Sequence, residues 1–583
     1  MNVYTSVPLL ANDHQSFRLL EFDTLGEGFL TSAAPLRATL KTYPLHDAPI
    51  YQALSYAWGK LHAYENIIIN GINVLISPTL CQAITHMLKH HTRDTSCPWR
   101  LWVDGLCINQ QDDREKSGQV ILMKDIYTQA HCVLIWLGIE DEVAWLAIDT
   151  LQRFAIDDGT ADGHNTSETL QESKLSRSAA IDIMIYRPWF TRVWVIQEVV
   201  VARRAMIHWG SRTMDWDQFN HGLQRITGSG FYPFSAQVQT AISIGVWREN
   251  FFQTASLRRD ESLDLRVLIK DTSEKGATNL RDKVYALRGI MSDRLAQGMT
   301  VNYEYSVERV YIDWAKSLLR LRSDLRILSM IRQRERGKYV TLMPSWVPDW
   351  SQAMDCGGVL NRYYRFLPEK LFRANGVTQP RVVINADNTI ALSGVIVDEV
   401  VFVSQIKNLL MNPESGTISI SPSLLQSLGF SLGLGDQYAP SNEPLWLALF
   451  RTLTADRSAI SPRINNTYRM KNFSQIVTGA SDGKAAADLE RDALWGKLSC
   501  SLDSIIEGKV LLITKGGFLA FTEDGCKIGD LICVFYGGEV PFILRKDHDG
   551  LFSLHGEAYV HGVMDGEIFI RKGGTVTESF HIK

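Results

Sequence analysis

The chain of 583 residues lacks an uninterrupted apolar run of about 18 residues, the length that a bilayer-spanning helix requires. Its first residues also lack the basic and apolar pattern of a signal peptide. Its eight cysteines are scattered and form no Cys-x-x-Cys pair, which argues against a zinc site and a disulfide framework. We therefore expect a cytoplasmic protein with reduced thiols, and we expect Cys107 and Cys132 to be core thiols.

A strong excess of basic charge is also missing. The 60 Lys and Arg residues are balanced by 64 Asp and Glu residues, for a formal net charge of −4, which does not favour nucleic acid as a partner. No His-Glu-x-x-His motif occurs, and no metal site is predicted. The composition, with 45% hydrophobic and 21% charged residues, is that of a globular protein with chain enough for several domains.

The most informative stretch is RPWFTRVWVIQE, which ends at Glu198. Pro188 suits the first position of a helix, and the apolar residues that follow recur at helical spacing. Trp194 and Glu198 are four residues apart and so lie on one face. An acid beside an indole is partly desolvated, which raises its pKa and suits it to acid–base or electrostatic chemistry. The structural alternative is a carboxylate that pairs with Arg192 or Arg203.

Two earlier segments accompany this stretch. Residues 51–59, YQALSYAWG, predict a buried strand that ends in a tight turn at Gly59. Residues 101–115, LWVDGLCINQQDDRE, predict a strand and a polar loop, and a helix follows them. The apolar run at 132–138, CVLIWLG, predicts another buried strand.

Together these blocks resemble the fungal heterokaryon incompatibility (HET) domain. That family shows an ALSYxWG strand, a WIDxLCINQxDxxER loop with QVxxMxxIYxxA after it, and RxWxxRxWxxQE. The chain departs from this pattern at Lys116, where Arg is usual, and at Val103, which replaces Ile. The resemblance covers roughly residues 50–200. Weaker family likeness continues in later segments, at 280–289, 344–351 and 556–567.

We expect an α/β fold with five zones. Alternating strands and helices predict a TIR-like, doubly wound and mostly parallel sheet for the HET domain. A mainly helical region follows, with a clear amphipathic helix at 305–322. Strand pairs are expected near 381–403, and short strands with Gly turns predict a small C-terminal β domain. The predicted zones are an N-terminal lead (1–45), the HET domain (46–210), a helical region (211–330), a mixed region with a mobile insertion at 455–490 (331–500) and the β domain (501–583).

The HET domain is similar to the TIR domain in two short segments. Leu54-Ser55-Tyr56 looks like the first TIR strand, and WVIQEVV looks like the helix that carries the catalytic glutamate of NAD-cleaving TIR domains. Glu198 matches that glutamate in its spacing from Trp194. The resemblance therefore implies an NAD nucleosidase with Glu198 as the catalytic residue. The family implies non-self recognition that triggers growth arrest or cell death.

The substrate-binding residues are predicted to gather beyond the carboxyl ends of the strands, where open α/β sheets bind ligands. There we expect the indole of Trp58, Trp189 or Trp194 to stack on nicotinamide or adenine, and the guanidinium groups of Arg187 and Arg192 to bind the diphosphate. NAD is expected as a substrate and no cofactor is expected. The predicted set is Ser55, Tyr56, Trp58, Gly59, Asp104, Asn109, Gln110, Glu115, Arg187, Trp189, Arg192 and Trp194.

Structural roles compete with each of these assignments. Trp194 suits the core, and Asp104 and Asn109 suit caps of the loop and of the helix that starts near residue 112. Glu115 suits either a second catalytic acid or an ion pair with the adjacent Arg114 or Lys116. At the level of function, the alternative is a non-enzymatic adaptor that assembles with incompatibility partners. In either case we expect a homo-oligomer or a partner protein.

Overall fold

The computed structural model describes residues 3–10, 15–22, 35–59, 64–91, 98–156, 169–229, 235–253, 268–269, 272–322, 324–331, 343–352, 372–406, 437–456, 508–571 and 577–583. The chain divides into two compact units. The first unit comprises Met1–Asp264 and Asp271–Val310, and the second comprises Leu265–Lys270 and Tyr311–Lys583.

The first unit is built on a nine-stranded sheet in the order β5-β4-β2-β1-β6-β3-β7-β8-β9. The central strands β3 and β7 are almost wholly buried, and β7 is a continuous apolar run, as a strand covered on both faces requires. The strands are β1 (Ser16–Phe22), β2 (Leu36–Pro44), β3 (Gln52–Tyr56), β4 (Glu65–Ile69), β5 (Ile72–Ile76), β6 (Trp99–Trp102), β7 (Cys132–Gly138), β8 (Ala205–Trp209) and β9 (Arg212–Asp215).

The prediction of a mostly parallel sheet is wrong. Strands β6, β3, β7 and β8 run parallel to one another, and β2 is parallel to β4. The other four pairings are antiparallel. The antiparallel pairs arise because β4–β5 and β8–β9 are hairpins with tight turns, and because β1 joins β2 to the parallel core. The sheet is therefore mixed, with a parallel core that carries the predicted site.

Helices cover this sheet. They are α1 (Val3–Ser6), α2 (Pro78–His91), α3 (Asp104–Cys107), α4 (Asp113–Gln129), α5 (Ala144–Ile156), α6 (Thr169–Ile185), α7 (Val195–Val200), α8 (Trp216–Gly228), α9 (Ala236–Gln253), α10 (Asp282–Tyr285) and α11 (Asp293–Gln297). The side chain of Asp112 accepts hydrogen bonds from the backbone N–H groups of Arg114 and Glu115, so Asp112 is the N-cap of α4.

A single helix over residues 188–200 does not form. Pro188–Thr191 is a 3₁₀ turn with Pro at its start, and the α-helix begins only at Val195. The break is caused by Gly276, which pairs with this segment: its N–H donates to Thr191 and its carbonyl accepts from Val193. Trp194 and Glu198 are nevertheless one helical turn apart, as predicted, because the N–H of Glu198 donates to the carbonyl of Trp194 at 3.1 Å.

The second unit is mainly a β structure. Its strands are β10 (Val382–Ile384), β11 (Ile390–Gln405), β14 (Lys509–Thr514), β15 (Leu519–Glu523), β16 (Leu531–Phe535), β17 (Phe542–Lys546), β18 (Phe552–Val560) and β19 (Glu578–Ile582). The long strand β11 pairs with both β14 and β16, so the pairings β11-β14-β15-β18-β17-β16 close into a ring. Apolar side chains such as Val395, Leu512, Val534 and Val560 form its core.

The remaining elements are the two-stranded pair β12 (Gln437–Tyr438) and β13 (Glu443–Pro444), and the helices α12 (Val307–Leu321), α13 (Leu445–Leu453) and α14 (Glu567–Arg571). Helix α12 confirms the amphipathic helix predicted at 305–322, and β10 and β11 confirm the strands predicted near 381–403. The five zone boundaries stay predictions, although β1 and β2 share the sheet of the HET region. Most of the predicted insertion, 457–490, lies outside the described residues.

Candidate functional site

The candidate site is centred on Glu198, whose carboxylate meets the end of the central strand β3. The hydroxyl of Ser55 donates to Oε2 of Glu198, and the indole N–H of Trp189 donates to the same hydroxyl at 2.7 Å. All three side chains are buried, with Glu198 only 1% exposed. Chain order predicted this meeting, because Ser55 lies near the carboxyl end of a strand that is parallel to both its neighbours.

Arg192 connects Glu198 to a second acid. Its guanidinium lies 3.6 Å from Oε1 of Glu198 and 3.8 Å from Oδ2 of Asp104, and it donates to the backbone carbonyl of Tyr56. Asp104 follows strand β6 and also accepts from the indole of Trp58, at 3.0 Å to Oδ2, and from the N–H of Gly105. The site is thus two carboxylates that share one arginine.

Burial tunes the titration of these groups. Desolvation raises the pKa of Glu198 to about 7, partly countered by the charge of Arg192, while the charge of Asp104 raises it further. Desolvation also raises the pKa of Asp104, against the charge of Arg192. Burial lowers the pKa of Arg192, but the negative charges of Glu198 and Asp104 have the larger effect, so the pKa of Arg192 is raised. Near neutral pH, Glu198 can therefore exist in either protonation state, as acid–base chemistry requires.

The buried carboxylates lie below a more exposed rim, which is formed by Trp58, Gly59, Asn109 and Gln110. Trp58 is 43% exposed although its indole N–H is bound to Asp104. Gly59 follows it with a φ of 76°, which confirms the predicted tight turn, since glycine adopts that backbone conformation without strain. Asn109 and Gln110 are half-buried in the loop that follows α3, and the amide of Gln110 donates to the Asp104 carbonyl at 2.9 Å.

Glu115 does not pair with Arg114 or Lys116. Its carboxylate instead makes two hydrogen bonds with the guanidinium of Arg18, at 2.6 and 2.9 Å, and it accepts from the backbone N–H of Asn109 at 2.6 Å. Arg18 is 1% exposed. The structure thus gives Glu115 a structural contact that fixes the end of α3 and the loop after it.

Two further predicted residues are engaged elsewhere. Arg187 pairs with Asp141, and its guanidinium lies 4.3 Å from the centre of the Trp209 ring. Trp194 is half-buried and donates a hydrogen bond to Asp282, which also accepts from the hydroxyl of Tyr303 at 2.5 Å. Neither contact places these side chains with Ser55 and Glu198.

Sequence reasoning missed the residues that reach the site from outside its motifs. Asp282 and Gly276 lie far along the chain yet bind Trp194 and the Thr191–Val193 segment. The ammonium of Lys275 donates to the carbonyl of Phe190, and burial lowers the pKa of Lys275 to about 8. The segment around residues 272–303 therefore completes the site-bearing unit. The weak family likeness at 280–289 is the only sequence signal in this segment, and it does not indicate a contact with the site.

Among the residues that the structure describes, no cluster of three or more His, Cys, Asp or Glu side chains is arranged to hold a metal ion. No helix there is both long and apolar enough to cross a membrane.

The side chains of this site lie within a stretch of the chain that matches a known family. Residues 51–198 match the family model described as heterokaryon incompatibility protein (HET), and residues 469–576 match the Het-6 beta-barrel domain. The chain is 25% identical to heterokaryon incompatibility protein 6, OR allele, of Neurospora crassa, over 91% of this chain and 92% of that protein. No solved structure gives a significant match. The matched HET region begins just before β3 and ends at Glu198.

Proposed function

This chain is a HET-domain protein, and from that premise we propose that it acts in non-self recognition. We propose further that it does so by cleaving NAD, with Glu198 as the catalytic residue. The observation that carries the proposal is the buried carboxylate itself. Glu198 is held by Ser55, faces Arg192 and has its pKa raised to about 7. Carboxylates whose pKa is raised by desolvation and by a specific charged partner concentrate at functional sites, which favours a catalytic role for Glu198 over a structural ion pair with Arg192.

The reaction breaks the bond between the ribose C1′ and the nicotinamide nitrogen. Nicotinamide leaves with the bonding electron pair, positive charge develops on the ribose, and water then adds a hydroxyl to C1′ and releases a proton. The ionised Glu198 stabilises the developing positive charge, and Ser55 fixes the orientation of the carboxylate. Because only the ionised acid can do this, activity should rise with pH through about 7.

Trp58 is the best placed of the three predicted stacking residues. Trp189 is 1% exposed and bound to Ser55, and Trp194 is bound to Asp282, whereas Trp58 is 43% exposed beside Asp104. A planar nicotinamide ring on the Trp58 face would stand at the rim of the acid pair. Neither of the two predicted diphosphate-binding arginines is free in this conformation, because Arg187 pairs with Asp141 and Arg192 lies between Glu198 and Asp104.

One observation favours the alternative function, an adaptor that assembles with incompatibility partners without chemistry. Glu198 is only 1% exposed, so in this conformation substrate cannot reach it without movement of the rim. If the acid network is structural, the HET domain would act through its surface. In the enzymatic proposal, the same burial is an off state that association with a partner or a second copy relieves.

Expression in a fungal host separates the two functions. The parental chain and Glu198→Gln are compared for growth arrest and for cellular NAD content, with Glu142→Gln as the control because Glu142 is exposed. The enzyme predicts that the parental chain and the control deplete NAD and arrest growth, and that Glu198→Gln does neither. Growth arrest by a folded Glu198→Gln protein at the parental level, with NAD unchanged, would support the adaptor.

A further inference from the structure

Arg192 stands in a short stretch between the 3₁₀ turn at Pro188–Thr191 and helix α7. Its backbone is extended, with a φ of −80° and a ψ of 140°, so it belongs to neither helix. Such a break leaves backbone groups without helical partners, and the neighbouring residues Phe190 and Val193 are too buried for water to supply them. The groups that do bind this backbone therefore fix the break and the place of Arg192 within it.

The partners come from two adjacent residues later in the chain, Lys275 and Gly276. The ammonium of Lys275 donates to the carbonyl of Phe190. The N–H of Gly276 donates to the carbonyl of the residue before Arg192, and the carbonyl of Gly276 accepts from the N–H of the residue after it, at 3.0 Å. Gly276 thus forms a β-bridge with Arg192 itself. These two residues hold the backbone on both sides of Arg192.

A second buried lysine supports this contact. The ammonium of Lys283 donates to the carbonyl of Ser273 at 2.6 Å and to the carbonyl of Lys275. Lys275 is 6% exposed and Lys283 is 9% exposed, and burial lowers the pKa of both. Burying an ammonium costs free energy, and both of these ammonium groups bind backbone carbonyls. Their contacts fix residues 273–276 and, through them, the stretch that contains Arg192.

The position of Arg192 affects the ionisation of Glu198. Burial raises the pKa of Glu198, the positive charge of Arg192 lowers it, and the negative charge of Asp104 raises it. The phenols of Tyr56 and Tyr127 also lie near these charges, but burial raises their pKa well above its ordinary value, so they stay neutral. Of the charges that act on Glu198, that of Arg192 favours the ionised form.

We propose that Lys275 is a positioning residue for the proposed reaction, which holds Arg192 between the two carboxylates and thereby keeps Glu198 in its ionised, reactive form. This inference rests on the proposed function and deepens it, because Lys275 lies outside the matched HET region. Without Lys275 the stretch around Arg192 is released, the guanidinium moves away and Glu198 takes up a proton. A higher pH removes that proton again, so the defect is reversed by pH, which a general loss of structure is not.

Lys275→Met in the full chain tests the inference, because methionine keeps an unbranched side chain and removes the donor and the charge. The matched control is Lys124→Met, since Lys124 also binds the 272–303 segment but pairs with the side chain of Asp293, at 2.8 Å, rather than with the backbone beside Arg192. In the nicotinamide-release assay, the pH midpoint of kcat/KM should rise by about one pH unit in Lys275→Met. Activity should then fall about fivefold at pH 7 and recover toward pH 9, whereas Lys124→Met keeps the wild-type midpoint.

A measurement without NAD separates this inference from the proposed chemistry. Urea unfolding at pH 5 and pH 8, with and without Glu198→Gln, gives the stability that Glu198 loses between the two pH values. That loss should be larger in the Lys275→Met background than in wild type, because Glu198 without its cation holds its proton to higher pH. If wild type releases no nicotinamide, the proposed function fails, and the urea comparison alone decides whether Lys275 places Arg192 beside Glu198.

The remaining outcomes are equally decisive. An unchanged midpoint, a loss of activity that is equal at every pH, or an unchanged loss of stability in Lys275→Met overturns the inference. If Lys275→Met does not unfold cooperatively, Lys283→Met replaces it, and its midpoint should move in the same direction by a smaller amount. Failure of both variants to fold shows that the two lysines support the whole unit, which also overturns the inference.

Discussion

Replacing Glu198 with Gln should change how the stability of the protein depends on pH. The pKa of Glu198 is about 7 in the folded chain, against an ordinary value of 4.5 when unfolded. Between those values the folded state holds a proton that the unfolded state has lost, so the contribution of Glu198 to stability falls as pH rises. The Gln side chain does not titrate, and in the variant this loss disappears.

The magnitude follows from the same two pKa values. Between pH 5 and pH 8, linkage predicts that wild type loses about 2.5 kcal/mol of unfolding free energy that the variant keeps. Contributions that do not depend on pH, such as the altered bond to Ser55, cancel in this double difference. Groups that titrate in both proteins cancel as well, provided that they lie beyond the reach of residue 198.

Urea unfolding monitored by tryptophan fluorescence at the two pH values measures this difference. Wild type, Glu198→Gln and the exposed control Glu142→Gln are compared, and the control should follow wild type. Parallel pH dependence in all three proteins would refute the reasoning, because Glu198 would then not change its protonation in that window. If Glu198→Gln is less stable than wild type at both pH values but still shows the predicted difference in pH dependence, the result agrees with the reasoning.

Other consequences of the structure are open to direct measurement. Arg18→Met should lower the unfolding free energy by about 3 kcal/mol or more, because it leaves Glu115 mostly buried without its cation; an unchanged urea midpoint would contradict this. A fragment of residues 1–310 should unfold cooperatively, whereas a fragment of residues 1–210 should not. The shorter fragment lacks the 272–303 segment, whose contacts belong to the first unit. Equal circular dichroism melts for both fragments would show that the segment is dispensable. Induced dimerisation of the full chain should increase NAD loss. An equal rate of NAD cleavage with and without dimerisation would exclude regulation by association.

The core of the site could be predicted because its residues lie in recognisable order at strand ends. Ser55 lies near the end of one buried strand, Asp104 follows another, and Glu198 stands one turn after Trp194. Parallel strands place their carboxyl ends at one edge, so the three had to converge once those strands paired. The contacts of Ser55 and Arg192 with Glu198 confirm that convergence.

What could not be predicted depends on contacts between distant segments. The helix expected at 188–200 breaks because Gly276 pairs with residues on both sides of Arg192, and local periodicity carries no sign of that pairing. The partner of Glu115 is Arg18, almost a hundred residues away rather than a sequence neighbour. The antiparallel strands at the sheet edges follow from hairpin turns, which the alternation of strands and helices does not reveal.

The hydroxyl of Tyr127 illustrates the same limit. In sequence Tyr127 is one apolar-spaced position of helix α4, and only the fold shows that its hydroxyl is buried and has no hydrogen-bond partner among the described residues. Burial and hydrogen-bond satisfaction are properties of the assembled structure. They cannot be deduced from the spacing that places a residue on one face of a helix.

Release of nicotinamide from NAD by the purified full-length chain tests the central claim most directly. The assay compares wild type, Glu198→Gln and Glu142→Gln at matched concentration between pH 6 and pH 8, with folding checked by circular dichroism. We predict nicotinamide release by wild type and by the control that increases with pH through about 7, and none by Glu198→Gln. Release by folded Glu198→Gln at the wild-type rate would contradict the assignment of Glu198 as the catalytic residue.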